Sequence, residues 1–136
     1  GADVTAYTDP TVSGGVAYQY RIRAVNGSGN SPWSNTAGVT TPAAPPNAPS
    51  SLTATALAKR KIRLNWADNS GNESGFRIER SAAGGAWTAV ATVKANTTTW
   101  TQSSLAAGVT YSYRVCSYNA SGSSAWSNVA SATARN

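Results

Sequence analysis

Apolar and polar residues alternate along much of this chain. From Lys61 to Ala67 the apolar positions are Ile62, Leu64 and Trp66, which a strand would place on one face. Val109 to Asn119 repeats the pattern with Tyr111, Tyr113 and Val115, and Gly75 to Ser81 does so with Phe76 and Ile78. Shorter strands are expected at Ser51 to Ala56, Trp87 to Val93, Thr97 to Gln102 and Trp126 to Ala134. Turn-forming clusters separate them: Asp68-Asn69-Ser70-Gly71-Asn72, Ala83-Gly84-Gly85 and Ser121-Gly122-Ser123. No segment carries a helical period. Seven strands of this kind predict an all-β fold, an immunoglobulin-like antiparallel sandwich of two sheets.

A similar pattern of residues occurs twice. When the sequence is shifted by 93 positions, Tyr18, Tyr20 and Arg21 meet Tyr111, Tyr113 and Arg114. Trp33-Ser34-Asn35 likewise meets Trp126-Ser127-Asn128. Residues 7–41 and 100–134 agree at 15 of 35 positions, far above chance, so the stretch is a tandem repeat with a period too long for a solenoid unit. The first copy lacks a counterpart of residues 44–93. The expected organisation is therefore a C-terminal half-copy over 1–42, a proline-rich linker over 43–49 and a complete copy over 50–136. Four prolines between Thr41 and Pro49 favour an extended, semi-rigid connector between the copies.

Composition narrows the chemistry. There is no His and no Met, and among 136 residues only five are acidic. Without His, the usual Ser and Cys triads are excluded, and the chain is expected not to be an enzyme. The net charge of +6 reflects scarce acids more than dense bases. Lys59-Arg60-Lys61 with Arg63 reads as a solvated hairpin in preference to a polyanion contact, so no nucleic-acid partner is expected. No run of about 18 apolar residues is present to span a membrane. No starting Met or signal peptide is visible, which suggests a mature segment or a piece of something longer.

Several motifs resemble the fibronectin type III family. They are Trp66 in the second strand, Leu105-Ala106-Ala107-Gly108-Val109-Thr110-Tyr111, and Tyr113-Arg114-Val115 running on to Asn119. The stretch from Trp66 to Ser70, followed by Gly75-Phe76-Arg77-Ile78-Glu79-Arg80-Ser81, is similar to bacterial members, which occur as repeats in secreted glycoside hydrolases and cell-surface proteins. The resemblance implies an extracellular setting. It makes Trp66 the central buried indole and Tyr111 a tyrosine corner, with Tyr18 its equivalent in the half-copy. Leu105 and Val12 become plugs at the bottom of the core. The implied core is thus Leu64, Trp66, Phe76, Ile78, Leu105, Tyr111, Tyr113 and Val115, with Tyr18, Tyr20 and Ile22 in the half-copy. The family's integrin-binding Arg-Gly-Asp loop is absent here.

Candidate chemistry is sparse. Asp68 and Glu73 are far more plausibly turn caps than a catalytic pair or, with Asn69 and Asn72, a calcium site. No cofactor or metal is expected. The candidate surface contacts are Trp33, Trp126, Tyr118 and Cys116, with Trp87 beside them. Flat aromatics among Asn and Ser side chains could stack on sugars. The favoured reading is that Trp126 covers Arg114, and Trp33 covers Arg21, as cation–π rungs. Alternation puts Cys116 on the outer face as a free thiol. Asn26, Asn72, Asn96 and Asn119 begin sequons.

The half-copy alone would leave Tyr18, Tyr20 and Ile22 facing water. Exchange between identical chains cannot complete every sandwich, because each chain holds one front half and two back halves. Neighbouring repeats, other copies of the chain or a donor strand must cover the face. The expected role is a structural or assembly module of an extracellular tandem-repeat protein in a filament-like setting, with protein partners. The alternative is an accessory carbohydrate-binding or spacer domain of a secreted polysaccharide hydrolase.

Overall fold

Strands form in this chain where a neighbouring strand takes up their backbone hydrogen bonds. A computed structural model describes residues 3–136. Gly1 and Ala2, which open the expected half-copy, lie outside the described residues. The chain divides into two compact units, Gly1–Ala44 and Pro45–Asn136. The first holds β1 (Ala17–Tyr20), β2 (Val25–Asn26), β3 (Gly29–Asn30) and β4 (Ala37–Thr40). The second holds β5 (Ser50–Leu57), β6 (Lys61–Ala67), β7 (Gly75–Ala82), β8 (Thr88–Lys94), β9 (Thr99–Gln102), β10 (Thr110–Asn119), β11 (Gly122–Ser123) and β12 (Ala130–Thr133).

The second unit is a two-sheet antiparallel sandwich. One sheet runs β5-β6-β9. The other centres on β10, which pairs with β7 along one edge and with β12 and β11 along the other, while β8 extends the sheet beyond β7. The alternating apolar residues meet between the sheets. Leu64, Trp66, Phe76, Ile78, Leu105, Tyr111, Tyr113 and Val115 are all buried there, joined by Leu52 and Ile62. Trp66 meets Phe76 edge to face, with ring centroids 5.7 Å apart. The Tyr111 hydroxyl accepts the Ala106 N–H at 3.1 Å, pinning the turn into β10. Gly108 makes that turn with φ +78°, a conformation other residues adopt only with strain.

Two features differ from the expected organisation. The proline-rich stretch is not a free connector from Pro45 onward. Pro46 and Pro49 are buried in the second unit. The Ser117 hydroxyl donates to the Asn47 carbonyl at 2.7 Å, and the Asn69 amide donates to the Ala48 carbonyl at 2.8 Å. Nor is Trp126 to Ala134 one strand. Its first part advances three residues while β10 advances two. Ser124 N–H meets the Ser117 carbonyl and Ser127 N–H meets the Val115 carbonyl. The hydroxyls of the same two serines accept the Ser117 and Val115 N–H groups at 3.0 and 3.1 Å. Serine side chains thus supply acceptors that a ladder would take from backbone carbonyls.

The first unit repeats the back of the second, register for register. Ala17↔Thr40 through Tyr20↔Ala37 reproduce Thr110↔Thr133 through Tyr113↔Ala130. Val25↔Asn30 and Asn26↔Gly29 reproduce Tyr118↔Ser123 and Asn119↔Gly122. The Tyr18 hydroxyl accepts the Ser13 N–H at 2.8 Å, and Ser31 and Ser34 bind Ala24 and Ile22 as Ser124 and Ser127 bind Ser117 and Val115. What differs follows from missing neighbours. β10 runs unbroken because β7 pairs with it from Tyr111 to Tyr118. In the first unit no such partner exists among the described residues, and the equivalent stretch splits into β1 and β2 around residues 21–24. Ile22, assigned to a core, is 75% exposed, whereas Val115 at the equivalent position is fully buried. Tyr18 and Tyr20 are half-buried.

Candidate functional site

The outward face of β10 carries the residues with the most chemistry. Alternation turns Arg114 and Cys116 away from the core side chains Tyr113 and Val115. The guanidinium carbon of Arg114 lies 4.5 Å from the Trp87 ring centroid and 4.3 Å from that of Trp126. Its Nε and Nη2 donate to Glu79 Oε2 at 2.9 and 2.6 Å. Glu79 stands directly opposite on β7. One arginine is therefore fixed by a carboxylate in the plane of its fork and by two indoles on its faces. The serine-bonded segment explains Trp126: it lies between Ser124 and Ser127, whose bonds to β10 hold the indole over the strand.

The first unit has a different version. Trp33 has two guanidinium neighbours, Arg21 at 4.4 Å and Arg23 at 4.5 Å. Trp33 is 45% exposed. Arg23 stands where the second unit has Cys116.

Cys116, expected at the surface, is only 1% exposed. It does lie on the outer face, but on the central strand between long side chains. Arg77 is its partner across the pair, and Arg114 lies along the same face. On that crowded face the small thiol is shut off from solvent. Burial pushes that thiol above the ordinary cysteine range, so it is held protonated and unreactive. Tyr118 is half-buried rather than open, with Arg77 over its ring at 5.7 Å. Any Cβ on Gly75 would crowd its hydroxyl at 3.0 Å.

The acidic turn is dispersed. Asp68 Oδ1 caps the Ser70 N–H at 3.0 Å, while Glu73 Oε1 accepts the Asn96 N–H at 3.1 Å. Among the described residues no three His, Cys, Asp or Glu side chains cluster as metal ligands. In the basic hairpin, Arg60 Nε donates to the Leu105 carbonyl at 2.6 Å, so part of that charge locks the bottom of the core. Sequence reasoning missed the roles of Glu79, Ser124 and Ser127. The signal was present in the spacing Ser-x-x-Ser around each repeated Trp, at 31 and 34 and again at 124 and 127.

Residues 47–133 match the fibronectin type III domain model. The chain belongs to that family. Fibronectin type III domains are structural modules, generally non-catalytic and typical of extracellular or surface proteins. The chain is similar to the FN1–FN3 domains of chicken CNTN1, at 21% identity and TM-score 0.64, covering 96% of this chain and 46% of that one. It is similar to an Fn3-like protein from Clostridium thermocellum, at 24% identity and TM-score 0.56, over 67% of this chain and 95% of that one. A β-1,2-glucanase from Parabacteroides distasonis matches at 28% identity and TM-score 0.59, over 71% of this chain but 14% of the glucanase. This chain thus spans about half the length of the CNTN1 fragment. Among the described residues no helix is long and apolar enough to cross a membrane.

Proposed function

We infer that this chain is a non-catalytic spacer from a secreted or surface-displayed protein of the bacterial tandem-repeat type, built from fibronectin type III repeats in series. The observation that carries this reading is the register-for-register recurrence of the back sheet at a separation of 93 residues. Duplication of backbone pairing, tyrosine corner and Arg–Trp stacking is what serial modules require. The most conspicuous side chains work internally. Trp126 and Trp87 spend ring area on Arg114, which leaves less flat surface for a sugar ring. That favours a spacer over a carbohydrate-binding role. A module of this kind matches part of a glucanase, so a place beside a polysaccharide hydrolase agrees with the spacer reading.

Two measurements test it. Light scattering of the 136-residue chain over a wide concentration range should give a monomer mass. Fibres or concentration-dependent oligomers would replace the spacer by an assembly protein. Co-sedimentation with insoluble β-glucan, cellulose and chitin should leave the chain in the supernatant. Retention that is lost on Trp33→Ala would establish the carbohydrate-binding alternative instead.

A further inference from the structure

The hairpin of β2 and β3 carries the single Asn-Gly pair of the sequence, Asn26-Gly27. Its tip is built twice. Asn26↔Gly29 closes a two-residue turn in the first unit, and Asn119↔Gly122 closes the same turn in the second. In both turns the asparagine Oδ1 accepts the N–H two residues on, from Ser28 at 2.9 Å and from Ser121 at 2.8 Å. Only the residue between them differs in kind: Gly27 in one turn, Ala120 in the other. Ala120 and Ser121 are exposed in the complete sandwich, as Gly27 and Ser28 are in the first unit. The turn's openness to water therefore belongs to the hairpin itself, not to whatever lies beside the rest of that unit.

Nothing in the fold asks for glycine at position 27. A Cβ built there meets no atom within 4 Å. Its φ lies outside the left-handed region, unlike that of Gly29 at +131°. Ala120 occupies the equivalent place and the register is unchanged. What glycine supplies is reactivity. Without a Cβ its amide nitrogen is unhindered and its backbone swings freely. Among the described residues no hydrogen bond holds the Gly27 N–H. The bond from the Ser28 N–H to Oδ1 also polarises the Asn26 side-chain amide and leaves its Cγ more electrophilic.

We propose that Asn26 is a site of spontaneous covalent modification, an intramolecular deamidation with water as its one co-reactant, and that Ala120 spares Asn119 the same fate. The Gly27 amide nitrogen gives up its proton and forms a bond to Asn26 Cγ. The bond from Cγ to Nδ2 breaks, and Nδ2 takes that proton and leaves as ammonia. Water then opens the resulting cyclic imide. Attack at Cγ returns the ordinary backbone with an aspartate. Attack at the Asn26 backbone carbonyl carbon leaves the chain running through the side chain, as isoaspartate. No redox change occurs. Each event lowers the formal charge by one, from +6 to +5. The isoaspartate route also lengthens the backbone by one carbon beside a two-residue turn, so the Asn26↔Gly29 pairing is lost with it.

Three chains test this: the 136-residue chain, its Gly27→Ala variant and its Ala120→Gly variant, incubated side by side in mildly alkaline buffer. Cation-exchange chromatography reads the charge, and peptide mapping by mass spectrometry reads the position. The parent chain should accumulate a form one charge lower, mapped to Asn26 as aspartate and isoaspartate, ahead of any change at Asn119. Gly27→Ala should slow the loss at Asn26 at least about threefold, the scale of the backbone freedom that a Cβ removes. Ala120→Gly should speed the loss at Asn119 by a similar factor. Circular dichroism of the fresh Gly27→Ala chain should match the parent, because the added methyl enters open space. Loss at Asn26 no faster than at Asn119 overturns the proposal, and so does a Gly27→Ala chain that deamidates at the parental rate. An Ala120→Gly chain whose Asn119 stays unchanged overturns the role given to Gly27. Protection of Asn119 would then belong to the bond from its Nδ2 to the Asn72 carbonyl at 3.2 Å. None of these outcomes bears on the spacer reading, which stands or falls on mass and glycan binding.

Discussion

Val115 and Ile22 sit 93 residues apart at the same place in the same strand, one fully buried and one 75% exposed. Replacing each with Ala separates the energy of a packed sheet face from any preference of the strand itself. Val115→Ala deletes two methyl groups' worth of apolar volume, about 1.6 kcal/mol of transfer energy at ~0.8 kcal/mol per carbon. The residual cavity between β10 and the facing sheet raises the cost to about 2–3 kcal/mol. In a unit of this size each kcal/mol moves Tm by about 4–8 °C, so the transition should fall by about 10–20 °C. Ile22→Ala removes a side chain already in water and should change stability by less than about 0.5 kcal/mol. Differential scanning calorimetry, with urea titration by near-ultraviolet circular dichroism, reads both. A loss of 2 kcal/mol or more at Ile22 would mean that its face is covered in solution, and would refute the exposed setting of the first unit. A loss below about 1 kcal/mol at Val115 would deny the packing itself.

Other consequences can be checked on the same protein. Tyr111→Phe leaves the Ala106 N–H without its acceptor and should cost about 1–2 kcal/mol in urea titration. Ser127→Ala strips the acceptor from the Val115 N–H beside the core and should cost about 1–3 kcal/mol while also loosening Trp126, seen as a red shift in emission. Burial pushes the Tyr113 phenol up to about 12, above its unfolded value of 10.0. The raised value favours the protonated fold, so that stabilisation is complete below pH 10 and is lost as pH rises toward 12. Alkaline unfolding followed by tyrosinate absorbance should show this loss, and Tyr113→Phe should flatten it. Cys116 should resist a thiol reagent in the native protein and react at once in urea; rapid native labelling would contradict its burial.

Much of the architecture was readable from period alone. Alternation at Ile62, Leu64 and Trp66 marks one face of β6 whatever surrounds it, because a strand has no other way to segregate them. The repeat made two tyrosine corners legible, since Tyr18 and Tyr111 each follow the same glycine turn. Alternation also placed Cys116 on the correct face of β10. It could not foresee burial, because coverage of a small side chain depends on what neighbouring strands bring beside it, and β7 joins β10 only in the folded sheet. The pairing of Arg114 with Glu79 was hidden for the same reason: the two lie 35 residues apart and meet only when β7 and β10 align. The segment from Trp126 onward looked like strand by composition, and the serine hydroxyls that take over its ladder bonds were visible only as a spacing of three.

By itself, then, the sequence determined strand positions, inward faces, turns and the 93-residue period, all of which are local or self-referential properties of the chain. Tertiary structure decided which faces are covered. Burial is a property of pairs of elements, so equivalent positions of one repeat give a sealed core at Val115, where β7 and the opposite sheet are present, and an exposed surface at Ile22, where no such elements stand among the described residues.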